Sequence, residues 1–185
     1  MIARRGLFLW PLVSLAAPQK KATKTQPPPK RDPDVGYLPT SQLVVDEILR
    51  VIKPTPSDVL YDLGCGDGRF VITAAKTYGS RGVGIDIDPV RIQESRANAK
   101  TAGVESLASF RQIDLFVADI SDATIVYLYL LPDLNRKLRP KLLKDLKPGT
   151  RVVSHFFDMG DEWPPERVVE VQGRKVYFWT IPPAS

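Results

Sequence analysis

Apolar positions along the chain follow two alternating periods from Tyr37 onward. Short apolar runs bounded by turn residues read as strands, and longer segments with apolar residues every three or four positions read as helices. Val59, Leu60 and Leu63 make a first strand, broken by Gly64, Gly66 and Gly68. Phe70, Val71, Ile72, Ala74 and Ala75 continue as a helix to about Tyr78-Gly79. Gly82 to Ile87 is a second strand; Asp88 then caps, and Pro89 opens, a helix to about Ala102-Gly103. Leu107 to Ile113 is a third strand, ending at Asp114. Thr124 to Leu130 is a fourth, with Val126, Leu128 and Leu130 on one side and Tyr127 and Tyr129 on the other. Pro132 to Lys147 reads as a helix that Pro140 should kink or split. Arg151 to Phe157 is a fifth strand, and Val168 to Gln172 with Lys175 to Ile181 form a closing antiparallel hairpin. Ahead of them all, Thr40 or Ser41 caps a helix to about Ile52, ended by Pro54 and Pro56. Asp46 and Glu47 sit early in that helix and Arg50 and Lys53 late, as its dipole prefers. Alternating strands and helices imply an α/β fold with a doubly wound, mainly parallel sheet and right-handed crossovers.

Residues 1–17 and 18–36 do not share this patterning. Gly6 to Ala17 is an apolar run behind Arg4-Arg5, interrupted by Pro11. It is shorter than the roughly 20 residues that span a bilayer. With Ser14-Leu15-Ala16 as a small-x-small site it fits a secretory signal; an interfacial anchor or a start-site artefact are the alternatives. Residues 18–36, with Pro27-Pro28-Pro29-Lys30-Arg31, read as a basic, proline-rich disordered linker, leaving 37–185 as the folded domain. Residues 1–31 hold seven Lys/Arg and no acid, so the remaining 26 − 7 = 19 basic and 21 acidic residues give the rest a net charge of −2. The overall pI near 9.3 therefore describes the N-terminal segment, and a nucleic-acid partner is not expected of the domain. The one cysteine, Cys65, excludes an internal disulfide and reads as a small loop residue.

The chemistry lies in Asp62-Leu63-Gly64-Cys65-Gly66-Asp67-Gly68 and two later acids. A glycine turn between strand and helix lets backbone approach a ligand and aims free N–H groups at it. Asp62, Asp86 and Asp114 fall at the ends of successive strands, 24 and 28 residues apart. In an open parallel sheet those ends share one rim, where ligands bind. A nicotinamide enzyme would also use Asp86, but its fingerprint wants glycine where Arg69 stands.

The Asp62 to Gly68 motif resembles the first motif of the class I S-adenosylmethionine-dependent methyltransferases, whose Rossmann-like sheet has seven strands and a C-terminal antiparallel hairpin. Together with Tyr37-Leu38-Pro39-Thr40 and Leu130-Leu131-Pro132 it looks like a narrower group. That group is the small protein-lysine methyltransferases that modify the mitochondrial adenine nucleotide translocase and ATP synthase subunit c, with bacterial relatives. The resemblance implies S-adenosyl-L-methionine as cofactor. It places Asp86 on the ribose hydroxyls, Ile87 against the adenine, and Asp114 with Leu115 at the adenine amino edge. Gly64 and Gly66 would give the methionine part access to backbone, Asp62 would serve its ammonium, and Tyr37 and Thr40 would pack over the cofactor. The mitochondrial members' hydrophobic presequence has no clear counterpart here, and export would separate an enzyme from a cytosolic cofactor, so localisation stays open.

The fourth strand's end, Tyr129-Leu130-Leu131-Pro132, should face the methyl group; it lacks the Asn/Asp-Pro-Pro-aromatic sequence of many amino-group methyltransferases. The Tyr129 hydroxyl is one candidate to orient an amine. His155, the only histidine, reads either as a structural residue or as a proton acceptor near neutral pH. Phe156, Phe157, Asp158, Asp161 and Trp163 follow in a loop that could wall an acceptor site. Arg136, Lys137, Arg139, Lys141, Lys144 and Lys147 make the next helix basic, either a solvated face or a dock for an acidic partner. The expected acceptor is a protein lysine, the expected state a monomer without metal, with membrane contact only through the N-terminal segment. A small-molecule or RNA methyltransferase and a non-catalytic cofactor-binding module are the rival readings.

Overall fold

The structure, a computed structural model, describes Gly36 and residues 38–183. The signal-like segment, nearly all of the linker, and Tyr37 lie outside the described residues. In chain order the elements are α1 (Gln42–Ile52), β1 (Val59–Leu63), α2 (Arg69–Tyr78), β2 (Arg81–Asp86) and α3 (Pro89–Ala102). Then come β3 (Ala108–Gln112), β4 (Ile125–Leu128), α4 (Pro132–Asp145), β5 (Arg151–His155), β6 (Arg167–Val171) and β7 (Arg174–Thr180).

The strands form one sheet in the order β3-β2-β1-β4-β5-β7-β6. The first five run parallel, and β7 is antiparallel to both neighbours. The order reverses direction beside β1, between β2 and β4, and an α/β sheet opens a ligand crevice at such a switch point. All five residues of β1 are buried, as a strand covered on both faces requires.

Two apolar layers cover the sheet. On one face Val44, Val45, Ile48 and Leu49 of α1 pack with Phe70, Val71, Ala74 and Ala75 of α2, over Leu60 and Tyr127. On the other, Leu134, Leu138 and Leu142 of α4 pack over Tyr61, Leu63, Val126 and Leu128. Fully burying one such large side chain contributes about 1.5–3 kcal/mol, so each helix is fixed by its apolar stripe. The period-two reading of the fourth strand holds, since Tyr127 and Tyr129 face α1 and α2 while Val126, Leu128 and Leu130 face α4.

Three expectations need correction. Pro140 does not split α4, which runs unbroken from Pro132 to Asp145. Leu138 and Leu142 on either side of it are fully buried, and that packing outweighs the roughly 3 kcal/mol penalty of an interior proline. The fifth strand stops at His155 rather than Phe157, because Phe156 turns to φ 73°. Ser41 occupies the N-cap of α1 but makes no side-chain cap bond, and no acid lies in its first turn.

Candidate active site

Parallel pairing aligns the C-terminal ends of the central strands, and register decides which side chains meet there. Asp62 of β1 lies opposite Gly84 on one side and Tyr127 on the other. The chain leaves β1 into the glycine turn, where the Gly64 and Cys65 N–H groups donate to the Ile85 carbonyl at 2.8 and 2.9 Å. Gly64 has φ +91°, and a Cβ there would stand 3.0 Å from Leu130 Cδ2. Only glycine fits both the angle and the space. Cys65 is buried against Gly84 and burial pushes its thiol up, so it is an inert filler of the turn.

A cavity of about 470 Å³ opens beside this turn. It is lined by Thr40, Asp62, Gly64, Gly66, Asp86, Ile87, Asp114, Leu115 and Tyr129, among others. Every residue the sequence nominated for the cofactor is therefore at one cavity, except Tyr37, which lies outside the described residues.

The acids are held in different ways. Asp86 Oδ2 accepts from the Gly66 N–H at 2.9 Å and Oδ1 from the Asp88 N–H at 3.0 Å. The carboxylate thus braces the glycine turn while keeping lone pairs for a ligand. Asp114 Oδ1 accepts from the Phe116 N–H at 2.9 Å, fixing the loop after β3. Asp62 is only 4% exposed. Burial first, then the nearby charges of Asp86 and Asp67, hold its carboxyl well above the ordinary 3.8. Such a group favours a proton until a cation arrives.

Sequence reasoning missed two residues that line the cavity. Tyr127 is stacked on Phe70, ring centroids 3.6 Å apart. Its buried hydroxyl lies against the Thr40 side chain without a well-formed hydrogen bond, and the Asp62 charge acts on it. Its alternation with Tyr129 was the available signal. Arg69 was read only as a departure from a glycine pattern. Its Nε and Nη2 donate to Asp67 at 2.9 and 2.6 Å, and its Nη1 donates to the Thr40 carbonyl at 2.7 Å.

The acceptor-side candidates separate. Tyr129 lines the cavity, but His155 does not. His155 is 2% exposed and packs behind Tyr129, ring centroids 4.4 Å apart. Burial, then the charge of Arg174, lowers it from 6.5 to about 4, so of its two readings the structural one fits this neutral, enclosed ring. Both its nitrogens lack partners among the described residues. Arg174 Nη1 donates to the Tyr129 hydroxyl at 3.5 Å and lies over the Phe156 ring, 4.9 Å from its centroid. The loop after β5 does not wall the cavity; Trp163 instead packs on Trp179 across the opposite core. Three of the six basic residues nominated on and after α4 are in ion pairs, Arg136 with Asp133, Arg139 with Glu162 and Lys141 with Asp145. Among the described residues no cluster of three His, Cys, Asp or Glu could hold a metal ion. No helix among them is long and apolar enough to cross a membrane.

The donor set fits the cofactor that the sequence resemblance implied. A buried acid relieved by a cation, a loosely held hydroxyl, a glycine turn and two braced carboxylates match an ammonium, a carboxylate and a ribose in chemistry.

Comparison with known proteins agrees. The profile of the ANTKMT methyltransferase domain matches residues 62–167. A protein-lysine N-methyltransferase of Saccharolobus islandicus is 45% identical over 154 residues, covering 80% of this chain and 95% of its own. The mouse adenine nucleotide translocase lysine N-methyltransferase is 31% identical over 147 residues, covering 80% of this chain and 63% of that longer protein. A crystal structure from Salinibacter ruber, described as an RNA methyltransferase in complex with S-adenosyl-L-homocysteine, is 59% identical. It superposes with a TM-score of 0.76 over 78% of this chain and 94% of that one.

Proposed function

The chain belongs to the family of the ANTKMT methyltransferase domain and is an S-adenosylmethionine-dependent methyltransferase, and we propose that its acceptor is the lysine side chain of a protein. The convergence of Asp62, Asp86 and Asp114 on one cavity beside the glycine turn carries the cofactor part of this reading, and the likeness to a protein-lysine N-methyltransferase supports the acceptor.

In it, the Asp86 carboxylate holds the ribose hydroxyls and Ile87 lies against the adenine. Asp114 and Leu115 take the adenine amino edge. Gly64 and Gly66 leave backbone room for the methionine part, whose ammonium Asp62 receives. Thr40 covers the cofactor, and the Tyr127 hydroxyl donates to its polar end. The bound cofactor supplies a methyl group on a cationic sulfonium, open to in-line displacement. The protein supplies alignment and a neutral amine. A lysine passing Tyr129, Leu130 and Leu134, which line the cavity, leaves water for an apolar wall. Both that burial and the adjacent positive charge favour its neutral form. Tyr129 orients the amine through its hydroxyl, and His155 keeps the Tyr129 ring in place rather than taking the proton.

RNA is the second reading, because the Salinibacter relative is described as an RNA methyltransferase. The acidic balance of residues 32–185, with 19 basic and 21 acidic side chains, supports a protein acceptor instead. RNA-binding surfaces neutralise phosphates with clustered cations. Tritium transfer from labelled S-adenosylmethionine to a host lysate, fractionated into protein, RNA and metabolites, tests this. Label in protein, recovered as methyl-lysine after hydrolysis, is the expected result; label confined to RNA or metabolites would replace the reading.

A further inference from the structure

The segment before α1 runs along the cavity. Leu38, Pro39 and Thr40 all line the cavity, yet Leu38 is 68% exposed. Apolar burial alone therefore does not hold this segment down. What holds it is a polar tie from the far side of the glycine turn. Arg69, the first residue of α2, sends Nη1 to the Thr40 carbonyl at 2.7 Å. The same guanidinium is aimed by Asp67, which accepts from Nε at 2.9 Å and from Nη2 at 2.6 Å. Asp67 is itself anchored, since its carbonyl accepts from Asn98 Nδ2 at 3.0 Å. A second tie follows one turn on, where Gln42 Nε2 donates to Thr73 Oγ1 at 3.0 Å and Thr73 Oγ1 donates to the Arg69 carbonyl at 2.7 Å.

A planar guanidinium can bridge a carboxylate and a carbonyl at fixed angles; an ammonium cannot hold both in that fork. Asp67 and Arg69 thus belong to the turn that would cradle the cofactor, while Thr40 belongs to the strap above it. We infer that Arg69 is a positioning residue: aimed by Asp67, it fastens the 38–40 strap along the cavity and so sets how long the cofactor stays bound. The inference rests on the cofactor reading above, and concerns the strap rather than any direct contact of Arg69 with the cofactor.

The test uses two ligands. S-adenosylhomocysteine carries the amino-acid end; 5′-methylthioadenosine lacks it. Affinities come from calorimetry and release rates from stopped-flow fluorescence, with the ligand-free melting temperature as a control. Arg69→Ala is expected to weaken both ligands by a similar factor, about 10-fold or more, mainly through faster release, while ligand-free melting stays within a few degrees of wild type. Arg69→Lys should not restore release to the wild-type rate, and it carries the test should Arg69→Ala fail to fold. Asp67→Asn should speed release too, and the double variant should add little to Arg69→Ala. Unchanged release, full rescue by lysine, or weakening of S-adenosylhomocysteine alone would overturn the strap role; the last would mark a direct contact with the amino-acid end. Failure of the wild-type chain to bind either ligand would overturn the cofactor reading itself.

Discussion

On the β2–β3 side of the cavity, every carboxylate that faces the ligand space is already fixed by backbone. Asp86 accepts from Gly66 and Asp88, and Asp114 accepts from Phe116. On the β4–β5 side, the Tyr127 hydroxyl is buried with only a loose contact to the Thr40 side chain, and both His155 nitrogens are buried with no hydrogen-bond partner among the described residues, so packing mainly sets the rings. The first side would meet the same adenosine in every turnover and can be built in advance. The second would meet the reacting groups, and leaves polar atoms whose partners arrive with a ligand or never. An unpaired buried polar group costs stability, so the two sides should respond oppositely to removal of their polar atoms. Asp62, on β1 between them, is a buried acid close to the charges of Asp86 and Asp67.

The clearest separation of the two sides is expected at Asp62. Asp62→Asn should weaken S-adenosylmethionine binding by about 10-fold or more by calorimetry, since a cation loses its buried counter-charge. The same variant should melt higher than wild type without ligand. The folded chain holds the Asp62 carboxyl above the ordinary 3.8, so it binds a proton that the unfolded chain has released. That contribution destabilises the fold increasingly as pH rises above 3.8. Stability of Asp62→Asn measured against pH should lack this fall.

His155 should show the reverse slope. Its folded value of about 4 lies below the ordinary 6.5, so the unfolded chain gains a proton first as pH drops. Its contribution is complete above pH 6.5 and lost as pH falls toward 4, by up to about 3 kcal/mol. His155→Leu should flatten that part of the acid-unfolding curve, with methyl transfer reduced only as far as Tyr129 shifts. A transfer rate lost in full with Tyr129 unmoved would return His155 to the chemistry. The smallest effect is expected at Tyr127. Tyr127→Phe should cost cofactor affinity about 2- to 10-fold, the value of one hydrogen bond, and leave the ligand-free chain equally or more stable. Lower ligand-free stability would mean that the hydroxyl has a partner in the free protein.

Much of this was readable before any coordinates. Strand and helix positions came from local patterning, and their ends moved by one or two residues where caps and bends decide them. The three aspartates were legible because chain order and right-handed crossovers bring successive strand ends to one rim. What was not legible depended on contacts distant in sequence. Arg69 looked like a failed glycine because its partner, the Thr40 carbonyl, lies 29 residues away and carries no side-chain signal. His155 could not be assigned between a structural and a proton-accepting role, because its place at a strand end says nothing of Tyr129 packed over it. Pro140 looked like a break because local propensity does not weigh the buried leucines on both sides.

The prebuilt side of the cavity is tested most directly at Asp86, by calorimetric titration of S-adenosylhomocysteine into wild type and Asp86→Ala. One site on the wild-type chain and a loss of about 100-fold or more in the variant are expected, since the ribose hydroxyls lose an acceptor and the Gly66 N–H loses its brace. Equal affinity in the two proteins would contradict the account.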